Sequence, residues 1–320
     1  MVELPIVGLI ANPVASKDIR RLVGLARVVD VEEKANLIAR FLVGLTAGPP
    51  ARVLAFDDAA GLVRRAVDLG RDGIPPVALV DVAASGDESD SRRAAASMRD
   101  AGAAVLVTVG GDGTIRAAIE GWPDACLVPI SAGTNNAVAI PDEPTAVGKA
   151  AAFAASEMLP STAFQSLTAL RVILEAGVTS TALVDVVGVN TAWTGARALW
   201  EPETFVEAVI ANSRSTSVGI ASVAAALGRL EPGHIRHVRF GAGDDVRVLL
   251  GPGLVKSVSI AGYTDLPRGA RVVLDPACRV VALDGERRAV TAARVEVSAV
   301  AGPRLLLVST ALDAGLMPGR

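Results

Sequence analysis

Cysteine and histidine are scarce in this sequence, and their scarcity excludes several kinds of site. The 320 residues include two cysteines, Cys126 and Cys278, which lie far apart and form no CxxC pair. A disulfide framework or a cysteine–zinc site needs several closely spaced cysteines, so both are excluded. The only histidines, His234 and His237, form an HxxH pair without the third ligand that a metal site needs.

Strong net charge and long hydrophobic runs are absent as well. The 31 basic and 34 acidic residues leave a formal net charge of −3, which provides no basic field for a nucleic-acid backbone. The first apolar run, Ile6–Ala11, is too short to span a membrane and has neither a basic flank nor a cleavage site. We therefore expect a cytoplasmic protein that binds neither nucleic acid nor membrane.

Apolar residues are plentiful, at 51% of the chain, and 320 residues predict two domains. In residues 1–160, apolar runs alternate with helical patterns such as Lys34–Leu45 and Ala59–Leu69. This alternation predicts an α/β domain with a parallel sheet covered on both faces. The predicted strands are Ile6–Ala11, Val53–Phe56, Val77–Val82, Val105–Val109 and Leu127–Ile130.

Residues 161–320 have a different pattern, with short apolar runs separated by Gly, Pro and Asp turns. This pattern predicts a β-rich domain of antiparallel strands, interrupted by one helix at Ser217–Leu230. Free sheet edges in such a domain favour self-association, so we expect a homo-oligomer. The predicted strands are Leu167–Glu175, Thr179–Val189, Val246–Leu250, Leu254–Ala261, Ala270–Leu274, Arg279–Leu283, Val290–Val297 and Leu305–Val308.

A glycine-rich pentapeptide follows the predicted strand Val105–Val109 and leads into a helical run. Its residues are Gly110, Gly111, Asp112, Gly113 and Thr114. Glycines let backbone N–H groups at a helix N-terminus approach phosphates. A carboxylate among phosphates is repulsive unless it holds Mg²⁺ or accepts a proton from an attacking hydroxyl. Asp112 therefore points to phosphoryl transfer onto an alcohol; the alternative is a tight turn that uses Gly and Asp for backbone reasons alone.

Two further loops follow predicted strands of the same sheet. One begins with Asn12 and Pro13, and the other contains Gly133, Thr134, Asn135 and Asn136. Loops at the carboxyl ends of parallel strands gather in one crevice, so we expect both to lie beside the pentapeptide. Taken singly, each is also typical of a helix cap. Neither GxxxxGK[ST] nor a complete GxGxxG is present, because Arg116 stands where the last glycine of the second motif belongs.

These three loops resemble the nucleotide-binding loops of the superfamily that contains NAD kinases and diacylglycerol-type lipid kinases. The start of the chain, IANPVASKDIRRL, is most similar to the NAD-kinase-like branch whose members are encoded beside acetoin-catabolism enzymes. The resemblance covers most of the chain and implies an α/β domain followed by a β-rich domain.

The resemblance also implies residue roles. Asp112 becomes the catalytic carboxylate, with the glycines and Thr114 around the phosphates. Val184-Asp185 stands where NAD kinases carry an Asn-Glu pair that holds ribose, so the acid is kept in shortened form and the Asn is lost. The implied acceptor site consists of Asp185, of Thr216, Ser217 and Gly219 in a segment that opens a helix, and of Asp284 and Glu286 in a DGE turn. Without the resemblance, Asp284-Gly285 is typical of a hairpin turn, and the segment from Ser217 of a packed helix.

The activity implied by the resemblance is that of an NAD kinase. ATP or polyphosphate, with Mg²⁺, would give a terminal phosphoryl group to the 2′-hydroxyl of NAD. One alternative keeps the donor site and changes the acceptor to a lipid or another small alcohol. Another is a nucleotide-binding regulatory protein without catalysis.

Overall fold

Five parallel strands alternate with helices in the first half of the chain. The computed structural model describes residues 3–15, 20–70, 73–133, 136–139, 141–174, 177–191, 198–290 and 294–315. The strands are β1 (Ile6–Ala11), β2 (Arg52–Ala55), β3 (Val77–Leu79), β4 (Ala103–Gly110) and β5 (Cys126–Ser131). The helices are α1 (Arg20–Val23), α2 (Val31–Leu45), α3 (Leu62–Gly70), α4 (Ser89–Asp100), α5 (Asp112–Gly121) and α6 (Pro144–Ala155). The strands pair in the order β3-β2-β1-β4-β5, which confirms the predicted α/β architecture.

The second half is rich in β structure, as predicted. Its strands are β6 (Phe164–Ile173), β7 (Thr179–Ala182), β8 (Asp185–Val189), β9 (Phe205–Ile210), β10 (His234–Gly251), β11 (Leu254–Pro267), β12 (Arg271–Val273), β13 (Val280–Leu283), β14 (Glu286–Val290) and β15 (Glu296–Leu306). The described part of this half also contains two α-helices, α7 (Ala221–Ala226) and α8 (Val308–Gly315), and two short 3₁₀ helices, Ser161–Ala163 and Pro202–Thr204. None of the described helices has the length and apolar character needed to cross a membrane.

The first sheet continues into the second half of the chain. Strand β15 pairs in parallel with β5 and antiparallel with β6, which gives the order β3-β2-β1-β4-β5-β15-β6-β7, with β12 also on β15. A second, six-stranded sheet has the order β11-β10-β9-β8-β13-β14. The nine-stranded sheet takes strands from both sides of residue 160, and the domain boundary placed there stays a prediction.

The strands of the first sheet are apolar throughout because both faces are covered. Val7 and Leu9 of β1 pack with α2 and α6 on one face, whereas Ile10 packs with α4 and α5 on the other. The second sheet packs one face against β6, β12 and β15, and places α7 on its opposite face. This stacking brings the carboxyl ends of the parallel strands close to the loops of the second sheet.

Several predicted elements differ in extent from the observed ones, among them three in the second half. The predicted helix Ser217–Leu230 is reduced to the six residues of α7, because Gly219 and Gly228 have φ values of +77° and +112° and end the helical path on both sides. The run Thr179–Val189 forms two strands, β7 and β8, rather than one. The run Val290–Val297 contains the end of β14 and the start of β15, with residues 291–293 outside the described part.

Candidate active site

The structure brings the three predicted loops together at the carboxyl edge of the first sheet. Asn12 follows β1, and its backbone N–H donates to Val109 O on β4. The side-chain Nδ2 of Asn12 then donates to Thr114 Oγ1 at 2.9 Å, in the first turn of α5. The Asn12 loop and the glycine-rich loop are thus joined by a side-chain hydrogen bond, as their shared position in the sheet predicts.

The glycine-rich loop after β4 and the loop after β5 contact each other at Gly111 and Gly133. A Cβ atom on Gly133 would lie 2.6 Å from both Gly111 Cα and Asn136 Oδ1, so the contact tolerates no side chain there. Asn136 Nδ2 donates to Ser131 Oγ at 2.7 Å, while its buried Oδ1 has no hydrogen-bond partner among the described residues. Thr134 and Asn135 lie outside the described residues. The glycines at this edge are therefore required by backbone packing as well as suited to phosphates.

Asp112 is the first residue of α5 and is buried, with 6% of its surface exposed. Its Oδ2 accepts the N–H of Ala137 at 2.6 Å, and its Oδ1 accepts that of Val138 at 3.1 Å. Burial raises the pKa of the carboxyl above its ordinary value, although the backbone N–H groups of residues 137–139 and Arg214 lower it. A raised pKa makes the carboxylate a stronger base.

Arg214 binds the carbonyl oxygens of the same two residues. Its Nη2 donates to Ala137 O at 2.5 Å and to Val138 O at 2.8 Å. Ser217 in turn positions Arg214, because Ser217 Oγ accepts the Arg214 N–H at 2.9 Å. Sequence reasoning missed Arg214, since arginine supplies all but four of the 31 basic residues and carries little signal by itself.

The DGE turn is a hairpin between β13 and β14, and it also supplies a buried acid. Asp284 and Gly285 have φ values of +50° and +75°, as a two-residue type I′ turn requires. Asp284 Oδ1 accepts hydrogen bonds from the N–H of Leu183 at 2.9 Å and the N–H of Val184 at 2.7 Å. Both residues lie between β7 and β8, so the carboxylate binds the backbone that connects these two strands. Arg116 Nε lies 3.7 Å from Asp284 Oδ2.

Two hydrogen bonds join Asp185 to the DGE turn. Asp185 O accepts the Asp284 N–H at 2.9 Å, and Asp185 Oδ1 accepts the Gly285 N–H at 3.1 Å. The pKa of Asp284 is raised to about 7, mainly by burial; Arg116 and the N–H groups of Val184 and Asp185 oppose the rise, and the charge of Asp112 adds to it. The acids predicted from distant parts of the sequence therefore lie close together.

These acids line a small cavity of about 20 Å³. Asp112, Asp185 and Asp284 line it together with Gly219 and Gly285, and the rest of its wall is apolar: Ala137, Val184, Leu199, Val218 and Ile220. The volume accommodates one group of about the size of a water molecule. The cavity is therefore a place where a single polar atom can meet the Asp112 carboxylate.

The remaining predicted residues lie at different distances from this cavity. Glu286 is beside the glycine-rich loop, since a Cβ on Gly113 would lie 3.7 Å from Glu286 Oε1. Thr216 is exposed and faces a different pocket. Pro13 contributes its carbonyl oxygen, which accepts a hydrogen bond from Lys34 Nζ.

Lys34 is a second residue that sequence reasoning missed. It is fully buried on α2, and its Nζ donates to Pro13 O and to Ala15 O, each at 2.8 Å. A buried ammonium group thus fixes the loop that follows β1. The signal in the sequence was the lysine at the start of the apolar helix pattern Lys34–Leu45. It was missed because a lysine is ordinarily expected to be exposed.

The described residues contain no group of three or more His, Cys, Asp or Glu side chains that could hold a metal ion. The expected Mg²⁺ therefore does not fit a site made by these residues alone. In phosphoryl-transfer sites Mg²⁺ is commonly held by substrate phosphates with one or two carboxylates.

Two family models match the chain, one on each half. Residues 63–158 match the ATP-NAD kinase N-terminal domain, and residues 168–301 match the acetoin catabolism protein X C-terminal domain. Over 300 residues the chain is 33% identical to acetoin catabolism protein X of Cupriavidus necator, an alignment that covers 88% of this chain and 84% of that protein. A solved diacylglycerol kinase structure from Bacillus anthracis is similar at 11% identity and a TM-score of 0.46, over 96% of this chain and 98% of that one.

Proposed function

The chain belongs to the acetoin catabolism protein X family, and we propose that it is a phosphotransferase that uses Asp112 as the base for a hydroxyl acceptor. Its kinase-like N-terminal domain supports a nucleotide donor. The observation that carries the proposal is the position of Asp112. It heads α5 between the loops that suit phosphates and the small acid-lined cavity that suits one acceptor atom.

The proposed step transfers one phosphoryl group. The acceptor hydroxyl gives its proton to the Asp112 carboxylate as its oxygen bonds to the terminal phosphorus. The bond from that phosphorus to the bridging oxygen breaks, and the nucleoside diphosphate or shortened polyphosphate leaves with the bonding electrons. The backbone N–H groups at the start of α5 and in the glycine-rich loop would offset the charge on the transferred group.

NAD is the proposed acceptor, through the 2′-hydroxyl of its adenosine ribose. The family relation to ATP-NAD kinases supports this choice. So does the position of Asp185 and Gly219 in the wall of the cavity beside Asp112, at the places where the resemblance implies the ribose site. ATP is the proposed donor, with polyphosphate as the alternative donor to be tested beside it.

A smaller alcohol is the second candidate acceptor, and one observation favours it. The cavity beside Asp112 is only about 20 Å³, and Leu199, Val218 and Ile220 close it with apolar side chains. Val184 lies in the same wall where an Asn would hold ribose. A short alcohol needs less room and fewer hydrogen bonds than a nucleoside.

The test is to incubate the protein with Mg²⁺ and ATP or polyphosphate, and to measure NADP formed from NAD and phosphate ester formed from short diols and diacylglycerol. Asp112→Asn should lower kcat by about 10²- to 10⁴-fold, whereas Asp124→Asn, at an exposed acid in the loop before β5, should leave it unchanged. Equal activity of both variants would overturn the role of Asp112. Tight ATP binding without transfer to any acceptor would replace the proposal with a regulatory nucleotide-binding role.

A further inference from the structure

A second and much larger pocket lies on the far side of residues 137–138 from Asp112. Its volume is about 560 Å³. Residues 165–168 of β6 form one wall, residues 211–216 a second, and residues 225–233 around the end of α7 a third. This volume is in the range of small-molecule sites, and none of the residues lining it is an acid of the small cavity.

Arg214 is the residue that gives this pocket its chemistry. Its Nη2 is engaged with the carbonyls of residues 137 and 138, but its Nε and Nη1 have no hydrogen-bond partner among the described residues. No carboxylate of the described part lies within ion-pair distance of it, although Asp112 and Asp142 act on it from further away. Burial lowers the pKa of Arg214, which shows that its charge is held partly out of water. A guanidinium so placed keeps single N–H donors on Nε and Nη1 for an anion.

The rest of the lining suits a short, polar ligand. Arg229 adds a second positive charge at the exposed rim, opposed by Glu231, which is the only acid among the described lining residues. Ser166, Ser215 and Thr216 line the pocket, and Leu167 and Leu305 supply a small apolar area. One fixed cation with hydroxyls and a little apolar surface is the composition of a site for a small acid.

The walls of the pocket are held in place by other side chains. Asn212 Nδ2 donates to Thr168 O at 2.7 Å and to Leu183 O, which joins two walls. Arg236 Nη1 donates to Ala224 O at 2.7 Å and to Gly228 O at 2.9 Å, which fixes the end of α7. Little ordering is then required when a ligand binds, and preorganisation of this kind favours affinity.

We propose that this pocket binds a small organic anion whose carboxylate or phosphate group lies on the free N–H groups of Arg214. The chain of the ligand would contact Leu167 and Leu305, and its polar substituents the surrounding hydroxyls. The site is distinct from the cavity at Asp112, so the proposal stands or falls independently of phosphoryl transfer.

The test compares anionic probes with neutral counterparts by isothermal titration calorimetry on the full chain. The probes are lactate against 1,2-propanediol, and glycerol 3-phosphate against glycerol. At least one anion should bind about tenfold or more tightly than its neutral counterpart, and the better pair distinguishes a carboxylate from a phosphate ligand. Failure of both anions at millimolar concentration would overturn the proposal.

Variants locate the binding. Arg214→Gln should weaken binding of the anion by about tenfold or more. Arg247→Gln, on the exposed part of β10, should leave the affinity unchanged. Gln165→Trp provides a second route if Arg214→Gln folds poorly, because it fills the pocket from the exposed rim and leaves Arg214 untouched. Circular dichroism checks that each variant is folded. Binding that survives both pocket variants lies elsewhere, for example at the glycine-rich loops, and contradicts the assignment.

Discussion

Asp112 and Arg214 both bind the peptide group between Ala137 and Val138, one at its N–H and the other at its carbonyl oxygen. The carboxylate accepts the N–H groups of residues 137 and 138, and the guanidinium donates to the carbonyl oxygens of the same residues. Each interaction polarises the peptide that the other uses, so the pair is coupled without direct contact. Asp112 belongs to the glycine-rich motif, whereas Arg214 precedes α7 in the second half of the chain.

Replacing Arg214 should therefore change catalysis at Asp112. Because Arg214 lowers the pKa of Asp112, Arg214→Gln should move the ascending limb of the pH–rate profile to higher pH. Loss of the grip on residues 137 and 138 should also lower kcat by roughly tenfold to a hundredfold. Arg214→Lys should restore the limb in part, since it returns the charge without the fork. A lowered kcat with an unmoved pH profile would indicate a purely structural role.

The contact between Gly111 and Gly133 should not tolerate a methyl group. In Gly133→Ala the new Cβ would lie 2.6 Å from Gly111 Cα, so the loops must separate. We expect the free energy of unfolding to fall by about 1–3 kcal/mol and ATP binding to weaken. Gly73→Ala is the matched control, because its Cβ would meet nothing closer than 3.4 Å. Equal urea midpoints and ATP affinities for the two variants would argue against the contact.

Lys34 should affect the phosphoryl donor more than the chemical step. Lys34→Met removes the donor to Pro13 O and Ala15 O and leaves both carbonyls without that bond. The free energy of unfolding should fall by about 1–3 kcal/mol, and KM for ATP should rise more than kcat falls, because the loop bearing Asn12 loses its support. Lys256→Met, at an exposed position on β11, should change neither. Steady-state kinetics over a range of ATP concentrations measures KM and kcat separately, and a fall in kcat without a rise in KM would contradict this role of Lys34.

Asp284 should make stability depend on pH in an unusual direction. Its pKa of about 7 in the folded protein exceeds the ordinary value of 3.8, so between these values the folded state binds more protons than the unfolded state. The free energy of unfolding from this group therefore falls as pH rises from about 4 to about 7, by up to about 4 kcal/mol. Asp284→Asn, which tolerates the positive φ, should flatten this dependence in urea titrations, and exposed Asp244→Asn should not. A wild-type stability that rises across this range, and is unchanged by Asp284→Asn, would contradict it.

The five parallel strands of the first sheet could be predicted because each is a separate apolar run in a stretch where such runs alternate with helices. The second half was harder, since its pairings join strands far apart in sequence. Strand β10 illustrates the reason: only Val246–Leu250 was recognised within its 18 residues. Residues 239–245 are mainly exposed and include glycines and acids, so they lack the alternation that marks a half-buried strand.

The site divides in the same way. The glycine-rich loop and the DGE turn carry local chemistry that sequence alone reveals. Arg214 and Lys34 act only through where the fold places them, one behind residues 137 and 138 and the other beneath residues 13–15. The pattern of apolar residues in the sequence cannot show that a basic side chain, in a loop or on an apolar helix face, will hydrogen-bond to a carbonyl group far away in the sequence.

The position of β15 has a consequence for synthesis of the chain. This strand lies between β5 and β6 in the first sheet, although about 165 residues separate the end of β5 from its start. On the ribosome, β5 is therefore exposed as an open sheet edge until residues 296–306 emerge. During that interval the nascent sheet is a target for chaperones or for another nascent copy, and the nine-stranded sheet is complete only when translation is nearly finished.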